Sequence, residues 1–151
     1  MIKVRQGYKF GEFDSLLAIN NACYDGDECP TPSEFKQMLE ISDVWVARHD
    51  LPEYPFTKNI PVGFQIVKEV GETIPYLWSL AVTPDWQNTG IGSRMLQFAC
   101  MKYPKLELHC RADSPVQKLY FDHGFRVIDI ARNYYKLGDK FVDGLKMRRE
   151  V

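Results

Sequence analysis

The sequence predicts an α/β fold of the α+β type, in which helices cover both faces of one central mixed sheet. Apolar residues recur with a strand-like period of two in some segments and with a helical period in others. Along the chain these segments follow the order β, α, α, β, β, β, α, β, α, β, β. Because helices lie between strands that need not all be parallel, a mixed sheet is expected.

Length and composition predict a single domain that spans residues 1–151. A chain of 151 residues can bury a core without disulfides or metals. Apolar residues make up 45% and charged residues 26%, which argues against extensive disorder. No apolar run approaches the roughly 18 residues of a membrane span, and Met1 to Arg5 lack the apolar core of a signal peptide. We therefore expect a cytoplasmic protein without a membrane partner.

Charge and cysteine usage argue against two further classes. A net charge of −1 disfavours a nucleic-acid partner bound through backbone electrostatics. The spacing of Cys23, Cys29, Cys100 and Cys110 matches no zinc pattern, so no metal is predicted and reduced thiols are expected. Cys100 and Cys110 occupy apolar positions, where small buried residues are common.

The first part of the chain predicts a strand and two helices. Ile2 to Arg5 is strand-like, and Phe13 to Cys23 carries apolar residues at helical spacing. The second helix has a strong start signal, in which Thr31 is the N-cap, Pro32 the first helical residue and Glu34 closes a capping box.

Three strands are predicted next. Val44 to Arg48 and Val62 to Val70 are rich in β-formers, and the Pro-rich stretch from Leu51 to Pro61 predicts a stiff, protruding connection between them. Tyr76 to Val82 is expected to pair beside this hairpin, and Pro84 ends the ladder.

A helix and a strand with two different faces follow. The helical pattern after Gly92 ends before Pro104. In the next strand, Leu106, Leu108 and Cys110 alternate with polar residues.

A short helix and two strands close the chain. Asp113-Ser114-Pro115 predicts a capped helix that runs to Gly124. Phe125 to Tyr135 and Phe141 to Arg148 are the last two strands, joined at Gly138-Asp139. An exposed edge in Phe141 to Arg148 could pair between subunits, or its lysine and arginines could blunt it, so a monomer and a homodimer both remain possible.

The segment with the clearest chemistry is a glycine loop between a strand and a helix. Gly90 and Gly92 let backbone amides approach a ligand closely, and the helix that follows offers unpaired N–H groups and a positive dipole end. This arrangement predicts a phosphate site. The lysine of a nucleoside-triphosphate loop is missing after Gly92, and Met95 replaces the third glycine of a dinucleotide loop.

Two motifs in this order identify a known family. Val82-x-Pro84-x-x-Gln87-x-x-Gly90-x-Gly92 resembles the acetyl-CoA motif of the GNAT superfamily of N-acetyltransferases, and Leu119-Tyr120-x-x-x-Gly124-Phe125 resembles its second motif. The resemblance implies a mostly antiparallel sheet of about seven strands with about four helices. Two further segments resemble the corresponding segments of ribosomal-protein N-terminal alanine acetyltransferases and related enzymes. These segments are Leu108 to Ala112 and Arg132 to Tyr135.

The resemblance also implies which residues hold acetyl-CoA, the expected cosubstrate. Its pantetheine arm would face main-chain groups of Leu80, Ala81 and Val82. Its pyrophosphate would face the loop that follows these residues. Asp113 stands where the family often has an asparagine near the cofactor. The loop residues are Gln87, Asn88, Thr89, Gly90, Ile91, Gly92 and Ser93.

Catalytic roles follow from the same resemblance. Tyr120 falls at the position of the general acid, whose phenol can protonate a departing thiolate. His109 falls where related enzymes carry a glutamate base, and its imidazole can take a proton from an α-ammonium group. Glu107, on the same strand face, or a water molecule is the alternative base. A buried Tyr120 and a structural His109 are the simpler alternatives.

The predicted acceptor is a primary amine, most specifically a protein or peptide N-terminus. Tyr134 and Tyr135 would line its groove, although tyrosines that only pack on a strand give the same pattern. Asp25, in the acidic loop with Asp27 and Glu28, would attract a cationic amine or simply be a solvated turn. Two alternatives stay open: a small amine such as a polyamine, amino sugar or antibiotic, and a non-catalytic acyl-CoA-binding domain.

Overall fold

A computed structural model describes residues 1–24, 29–53, 56–69, 71 and 73–150. In these ranges seven strands and four α-helices form the fold. In chain order they are β1 Ile2–Gln6, α1 Phe13–Cys23, α2 Pro32–Ile41, β2 Asp43–Glu53, β3 Phe56–Lys68, β4 Tyr76–Val82, α3 Ile91–Lys102, β5 Leu106–Arg111, α4 Gln117–Asp122, β6 Arg126–Leu137 and β7 Lys140–Arg149, with a 3-10 turn at Pro84–Trp86.

The strands form one mixed sheet in the order β1-β2-β3-β4-β5-β7-β6. Every neighbouring pair is antiparallel except β4 and β5, which are parallel. The chain makes this crossover through α3, as a parallel connection requires. The predicted fold class is therefore confirmed.

Helices pack on both faces of the sheet, each over its own apolar cluster. On one face Met95, Leu96 and Ala99 of α3 pack with Leu108 of β5. On the other face the helices α1 and α2 pack on β2, β3 and β4, through a cluster that includes Leu16, Phe35, Phe64 and Ala81. No helix in the described ranges is long and apolar enough to cross a bilayer.

The second helix begins as its sequence predicts. The Thr31 hydroxyl accepts a hydrogen bond from the Glu34 N–H at 3.2 Å, and the Glu34 carboxylate accepts one from the Thr31 N–H at 3.0 Å. The capping box is thus complete, and Pro32 opens the helix.

The prediction of a protruding loop from Leu51 to Pro61 is wrong. The strand β2 runs to Glu53 and β3 begins at Phe56, and Leu51 pairs with Lys58. Pro61 is accommodated because the register shifts beside it, between Ala47 and Arg48 on the partner strand. A residue without an N–H is tolerated at such a bulge.

Two other sequence-based boundaries need correction. The last helix begins at Gln117, after Val116, and Asp113 does not cap it; Ser114 instead accepts a hydrogen bond from the Val116 N–H at 3.3 Å. Phe141 to Arg148 do not form an edge, because β7, which contains them, pairs with β5 on one side and β6 on the other, and β6 is the edge strand at this end of the sheet.

Candidate active site

A cavity opens where β4 and β5 diverge. Their register has a single pair, Tyr76 with Glu107, beside a hydrogen bond from the Glu107 N–H to the Pro75 carbonyl at 3.0 Å. Beyond this point the two parallel strands no longer pair, and a cavity of about 1390 Å³ lies between them. Its walls come from β4, β5, the glycine loop, α1, α2, α4 and β6.

A bulge in β4 lies next to the point of divergence. Ile66 pairs with Ser79 and Val67 with Leu77, so Trp78 is the extra residue. The Trp78 side chain is 37% exposed, and the Lys68 ammonium lies over its ring, 4.8 Å from the centroid. Past the bulge, the side chains of Leu80 and Val82 pack against the cluster that contains α3.

The glycine loop delivers the start of α3 to one end of the cavity. Gly90 has φ +88°, a left-handed conformation that favours glycine, and Asn88 has φ +62°. A Cβ atom at Gly90 would meet nothing within 4 Å, so the loop surface is open to a ligand. No side chain caps the helix, which leaves its first N–H groups available to an anion. This donor set fits the diphosphate of acetyl-CoA.

Side chains in and around the loop brace it. Gln87 Nε2 donates to the Val82 carbonyl at 2.9 Å, and the Thr89 hydroxyl donates to the Trp86 carbonyl at 2.6 Å. Of the predicted loop residues, Thr89 alone does not line the cavity. The Thr89 side chain therefore stabilises the turn and does not face the ligand space.

Ser93, in the first turn of α3, is connected to α4 through His123. His123 Nδ1 lies 2.9 Å from the Leu119 carbonyl, which can only accept, so Nδ1 carries the proton. Nε2 lies 3.2 Å from the Ser93 hydroxyl, within hydrogen-bond distance. The two helix ends beside the cavity are thus linked through His123.

The open edge of β4 carries backbone groups that face the cavity. The N–H and C=O groups of Leu80 both contact the Tyr24 hydroxyl, at 3.2 Å and 2.9 Å. Since these groups alternate in direction along a strand, those of Val82 face the same way and those of Ala81 face β3. Of the three residues predicted to pair with the pantetheine arm, two therefore present their backbone to the cavity.

His109 lies near the divergence of β4 and β5 and is partly buried. Its Nδ1 atom is 2.6 Å from the Tyr76 hydroxyl, and its ring stacks on Tyr134 with centroids 4.7 Å apart and planes 7° apart. Burial, and then the positive charge of Lys146, lower the pKa of His109 below its usual 6.5. The imidazole is consequently neutral at pH 7 and can accept a proton.

Tyr76 completes this group, and sequence reasoning missed it. Burial raises the pKa of Tyr76, as does a hydrogen bond with Tyr134, so its hydroxyl keeps its proton. No sequence signal marked Tyr76, since it becomes the neighbour of His109 only through the pairing of β4 with β5.

Glu107 shares a strand face with His109 but has a different environment. Its carboxylate lies 2.6 Å from the Arg148 guanidinium and 3.6 Å from the Lys146 ammonium. Glu107 does not line the cavity. Both charges hold the carboxylate away from the ligand space, which makes His109 the better-placed base.

Tyr120 is buried at the base of the cavity, with 7% exposure, and packs edge to face on Phe125 at 5.7 Å. Burial raises the pKa of Tyr120 well above its usual value of 10. The phenol therefore remains protonated over the working pH range and can serve as a proton donor.

The two tyrosines of β6 line the cavity beside His109. Tyr135 packs edge to face on Tyr134, with centroids 4.9 Å apart. Tyr134 belongs to a bulge, because Ala131 pairs with Gly144 and Tyr135 with Val142. The bulge turns the Tyr134 ring towards the cavity.

The remaining predicted residues are distributed differently. Asp113 lines the cavity and forms a two-point ion pair with Arg111, with both distances 2.9 Å. Asp25 lies outside the described residues, and so does the rest of the acidic loop, 26–28. The α2 side chains Glu34, Gln37 and Met38 also line the cavity, which the helical pattern alone did not indicate.

The thiols and acidic groups show no metal-binding arrangement within the described part of the chain. No group of three or more His, Cys, Asp or Glu side chains there could hold a metal ion. In the described residues none of the four cysteines forms a disulfide, and Cys100 and Cys110 are buried as predicted.

A comparison with protein families identifies the family of this chain. The sequence profile of the acetyltransferase (GNAT) domain matches residues 40–127. No curated protein sequence matches the chain significantly.

Solved structures share the whole fold. The ribosomal-protein-S18-alanine N-acetyltransferase from Escherichia coli aligns over 99% of this chain and 93% of that chain, with a TM-score of 0.81 and 20% identity. NAA60 from Arabidopsis thaliana, in complex with a bisubstrate analogue, aligns over 98% and 97%, with a TM-score of 0.83 and 17% identity. An IAA acetyltransferase from Bacillus cereus aligns over 100% of both chains, with a TM-score of 0.74 and 19% identity.

Proposed function

The chain belongs to the GNAT acetyltransferase family, and on this premise we propose that it acetylates the α-amino group of a protein or peptide N-terminus. It is an acyltransferase, and acetyl-CoA is its cosubstrate. The observation that carries the choice of acceptor is the neutral His109 between Tyr76 and Tyr134.

The proposed cofactor site extends along one side of the cavity. The first N–H groups of α3, from Gly90 to Ser93, would hold the diphosphate. The backbone of Leu80 and Val82 offers donors and acceptors to an extended amide chain, as the edge of a sheet does to an added strand. Acetyl-CoA supplies the acetyl group as a thioester, whose C–S bond breaks as the new C–N bond forms.

His109 is proposed as the base. For Nε2 to accept a proton, Nδ1 must carry one and donate it to the Tyr76 oxygen, 2.6 Å away. Tyr76 in turn can donate its hydrogen to Tyr134, with which it shares a hydrogen bond. This chain of donors fixes the imidazole tautomer with a free Nε2.

Tyr120 is proposed as the acid. Its protonated phenol lines the same cavity and can give a proton to the leaving sulfur. In the net reaction the acceptor ammonium group loses two protons: one leaves through His109 and the other ends on the CoA sulfur.

The low basicity of His109 favours an α-amine over a lysine or a polyamine. A base with a pKa below 6.5 can deprotonate an α-ammonium group, whose pKa is about 7.7–8.0. An alkyl ammonium group has a pKa of about 10.4, so its deprotonation by the same base is less favourable by more than two further pKa units. The exposed Tyr134 offers an aromatic wall for a peptide. The fold shared with the E. coli S18-alanine enzyme and with NAA60 supports the same acceptor class.

The test is a thiol-release assay with acetyl-CoA and matched acceptors. The panel contains peptides with a free N-terminus, the same lysine-containing peptides with a blocked N-terminus, a polyamine, an amino sugar and an aminoglycoside. We expect release only with free N-termini, and mass spectrometry should locate the acetyl group on the first residue.

Other outcomes would reject this acceptor. Release with blocked peptides would indicate lysine side chains, and release with a small amine alone would indicate a small-molecule enzyme. If CoA binds by calorimetry and no amine in the panel increases thiol release, acetyl transfer to an amine should be abandoned.

A further inference from the structure

The end of α1 lies along the open edge of β4. Tyr24 follows the last residue of this helix, and its hydroxyl contacts both backbone groups of Leu80: it donates to the carbonyl at 2.9 Å and accepts from the N–H at 3.2 Å. The Ser79 hydroxyl donates to the same oxygen at 3.0 Å. The Tyr24 side chain therefore provides hydrogen-bond partners for the N–H and C=O groups of Leu80, which do not pair with β5.

The preceding residue makes a parallel contact two positions further along the strand. Cys23 Sγ lies 3.2 Å from the Val82 carbonyl, and burial raises the pKa of the thiol, so it remains an S–H donor. This carbonyl also accepts from Gln87 Nε2 at 2.9 Å. Leu80 thus depends on Tyr24 for both of its contacts, while Val82 has two separate donors.

These backbone groups face the space between the diphosphate site and the catalytic residues. Both Leu80 and Val82 line the cavity, with the glycine loop at one end and His109 and Tyr120 in the other wall. The pantetheine arm of CoA is an extended chain with two amides, and the edge of a strand recognises such a chain through N–H and C=O groups. An arm that pairs with Leu80 needs the groups that the Tyr24 hydroxyl occupies.

We propose that the Tyr24 hydroxyl competes with the pantetheine arm for the backbone of Leu80 and thereby sets the affinity for the cofactor. Pairing of the arm then requires the hydroxyl to release Leu80, and part of the binding free energy offsets the lost contacts. The inference rests on acetyl-CoA as the cosubstrate and not on the identity of the acceptor amine.

The test compares CoA with adenosine 3′,5′-bisphosphate, a fragment that lacks the pantetheine arm, by calorimetry. Tyr24→Phe keeps the ring, which packs against the apolar cluster beneath α1, and removes only the hydroxyl. We expect this variant to bind CoA about three- to tenfold more tightly, because no internal hydrogen bonds are lost on binding. Its affinity for the bisphosphate should stay within about twofold of the wild type.

Hydrogen exchange gives a second readout that needs no activity. Without CoA, the Leu80 amide should exchange faster in Tyr24→Phe than in the wild type, and with CoA it should be protected in both. Cys23→Ala is the matched control, because Gln87 still donates to Val82, and its CoA affinity should stay within about twofold.

Three results would overturn the proposal. They are weaker or unchanged CoA binding by Tyr24→Phe, an equal change in affinity for CoA and the bisphosphate, and an unchanged exchange rate of the Leu80 amide. None of them depends on whether a peptide is acetylated, so a wrong acceptor in the proposed function would leave this test unaffected.

Discussion

The carboxylate of Asp143 accepts a hydrogen bond from the backbone N–H of Asn133 at 2.9 Å. Its second oxygen accepts one from the Arg132 guanidinium at 2.8 Å. Asn133 has φ +53°, a left-handed conformation that costs a non-glycine residue about 1 kcal/mol. The bond to Asp143 stabilises this turn of the β6 bulge, and the bulge in turn brings Tyr134 over His109.

We predict that Asp143→Ala raises the KM for a peptide acceptor about tenfold or more, because a hydrogen bond to a charged group contributes about 1.5–3 kcal/mol. Without Asp143 the bulge of β6 would change conformation, and the Tyr134 ring would no longer stack on His109. The affinity for CoA should not change, because the proposed cofactor site lies on the other side of the cavity. Steady-state kinetics and calorimetry measure the two effects. Asp50→Ala, which removes an aspartate paired with Lys3 at 3.0 Å, is the control and should change neither.

A second variant tests whether the position of the Tyr134 ring matters, by placing a side-chain atom against it from β7. A Cβ atom at Gly144 would lie 3.0 Å from the Cβ and Cδ1 atoms of Tyr134, so Gly144→Ala should displace the ring and also raise the KM. If both variants keep the wild-type KM while Tyr134→Ala raises it, the bulge does not position Tyr134.

The pKa of His109 predicts a particular pH dependence. Because this pKa is lowered, the rise of wild-type kcat/KM with pH should have its midpoint below pH 6.5, where the imidazole loses its proton. In His109→Ala, kcat/KM should be about 100-fold lower than in the wild type near pH 7, because most of the acceptor amine is still protonated there. This difference in kcat/KM should become smaller above pH 8, because the acceptor amine is then already deprotonated in solution and needs no base.

The control for His109 is its neighbour on the strand. Glu107→Gln should retain the wild-type profile within several-fold, because Arg148 and Lys146 already hold that carboxylate. A profile measured from pH 5 to 9 that collapses in Glu107→Gln and survives in His109→Ala would reverse the assignment.

Tyr120→Phe should lower kcat by about 100-fold, the range for a positioned general acid. The ring and its edge-to-face contact with Phe125 remain, so the affinity for CoA should change by no more than a few fold. Single-turnover kinetics and calorimetry separate the two effects. If the variant no longer binds CoA, the acid role is contradicted.

A buried ion pair away from the cavity predicts a stability effect. Arg48 contacts both Glu12 oxygens at 2.8 Å, and the two side chains are 7% and 12% exposed. Arg48→Met should lower the free energy of unfolding by about 3–5 kcal/mol, because it leaves a buried carboxylate without its partner. Urea denaturation measures the loss, and Lys118→Ala, which breaks an exposed pair with Asp122, should cost less than about 1 kcal/mol.

The same pair predicts how acid affects the fold. The hydrogen bond from Arg48 lowers the pKa of Glu12 below its usual 4.5, so this carboxylate binds its proton less readily in the folded chain than in the unfolded one. Its contribution is therefore complete above pH 4.5 and is lost as the pH falls through the lowered pKa. In Arg48→Met this part of the acid sensitivity should disappear.

The sequence by itself determined most of the elements and the conformation of the glycine loop. Alternating Leu106, Leu108 and Cys110 specify a strand buried on one side, and Thr31 with Glu34 specify where α2 begins, because period and capping are local properties. Gly90 and Gly92 before a helical pattern likewise predict an anion site, since the conformation and the unpaired N–H groups belong to one short segment.

Only the tertiary structure decided which distant side chains meet. Tyr76 and His109 are 33 positions apart and come together because β4 and β5 pair at one point and then diverge. Tyr24 reaches Leu80 only because α1 packs on the sheet beside that divergence. Such contacts depend on strand order, register and bulges, which arise from the packing of the whole chain and leave no spacing in the sequence.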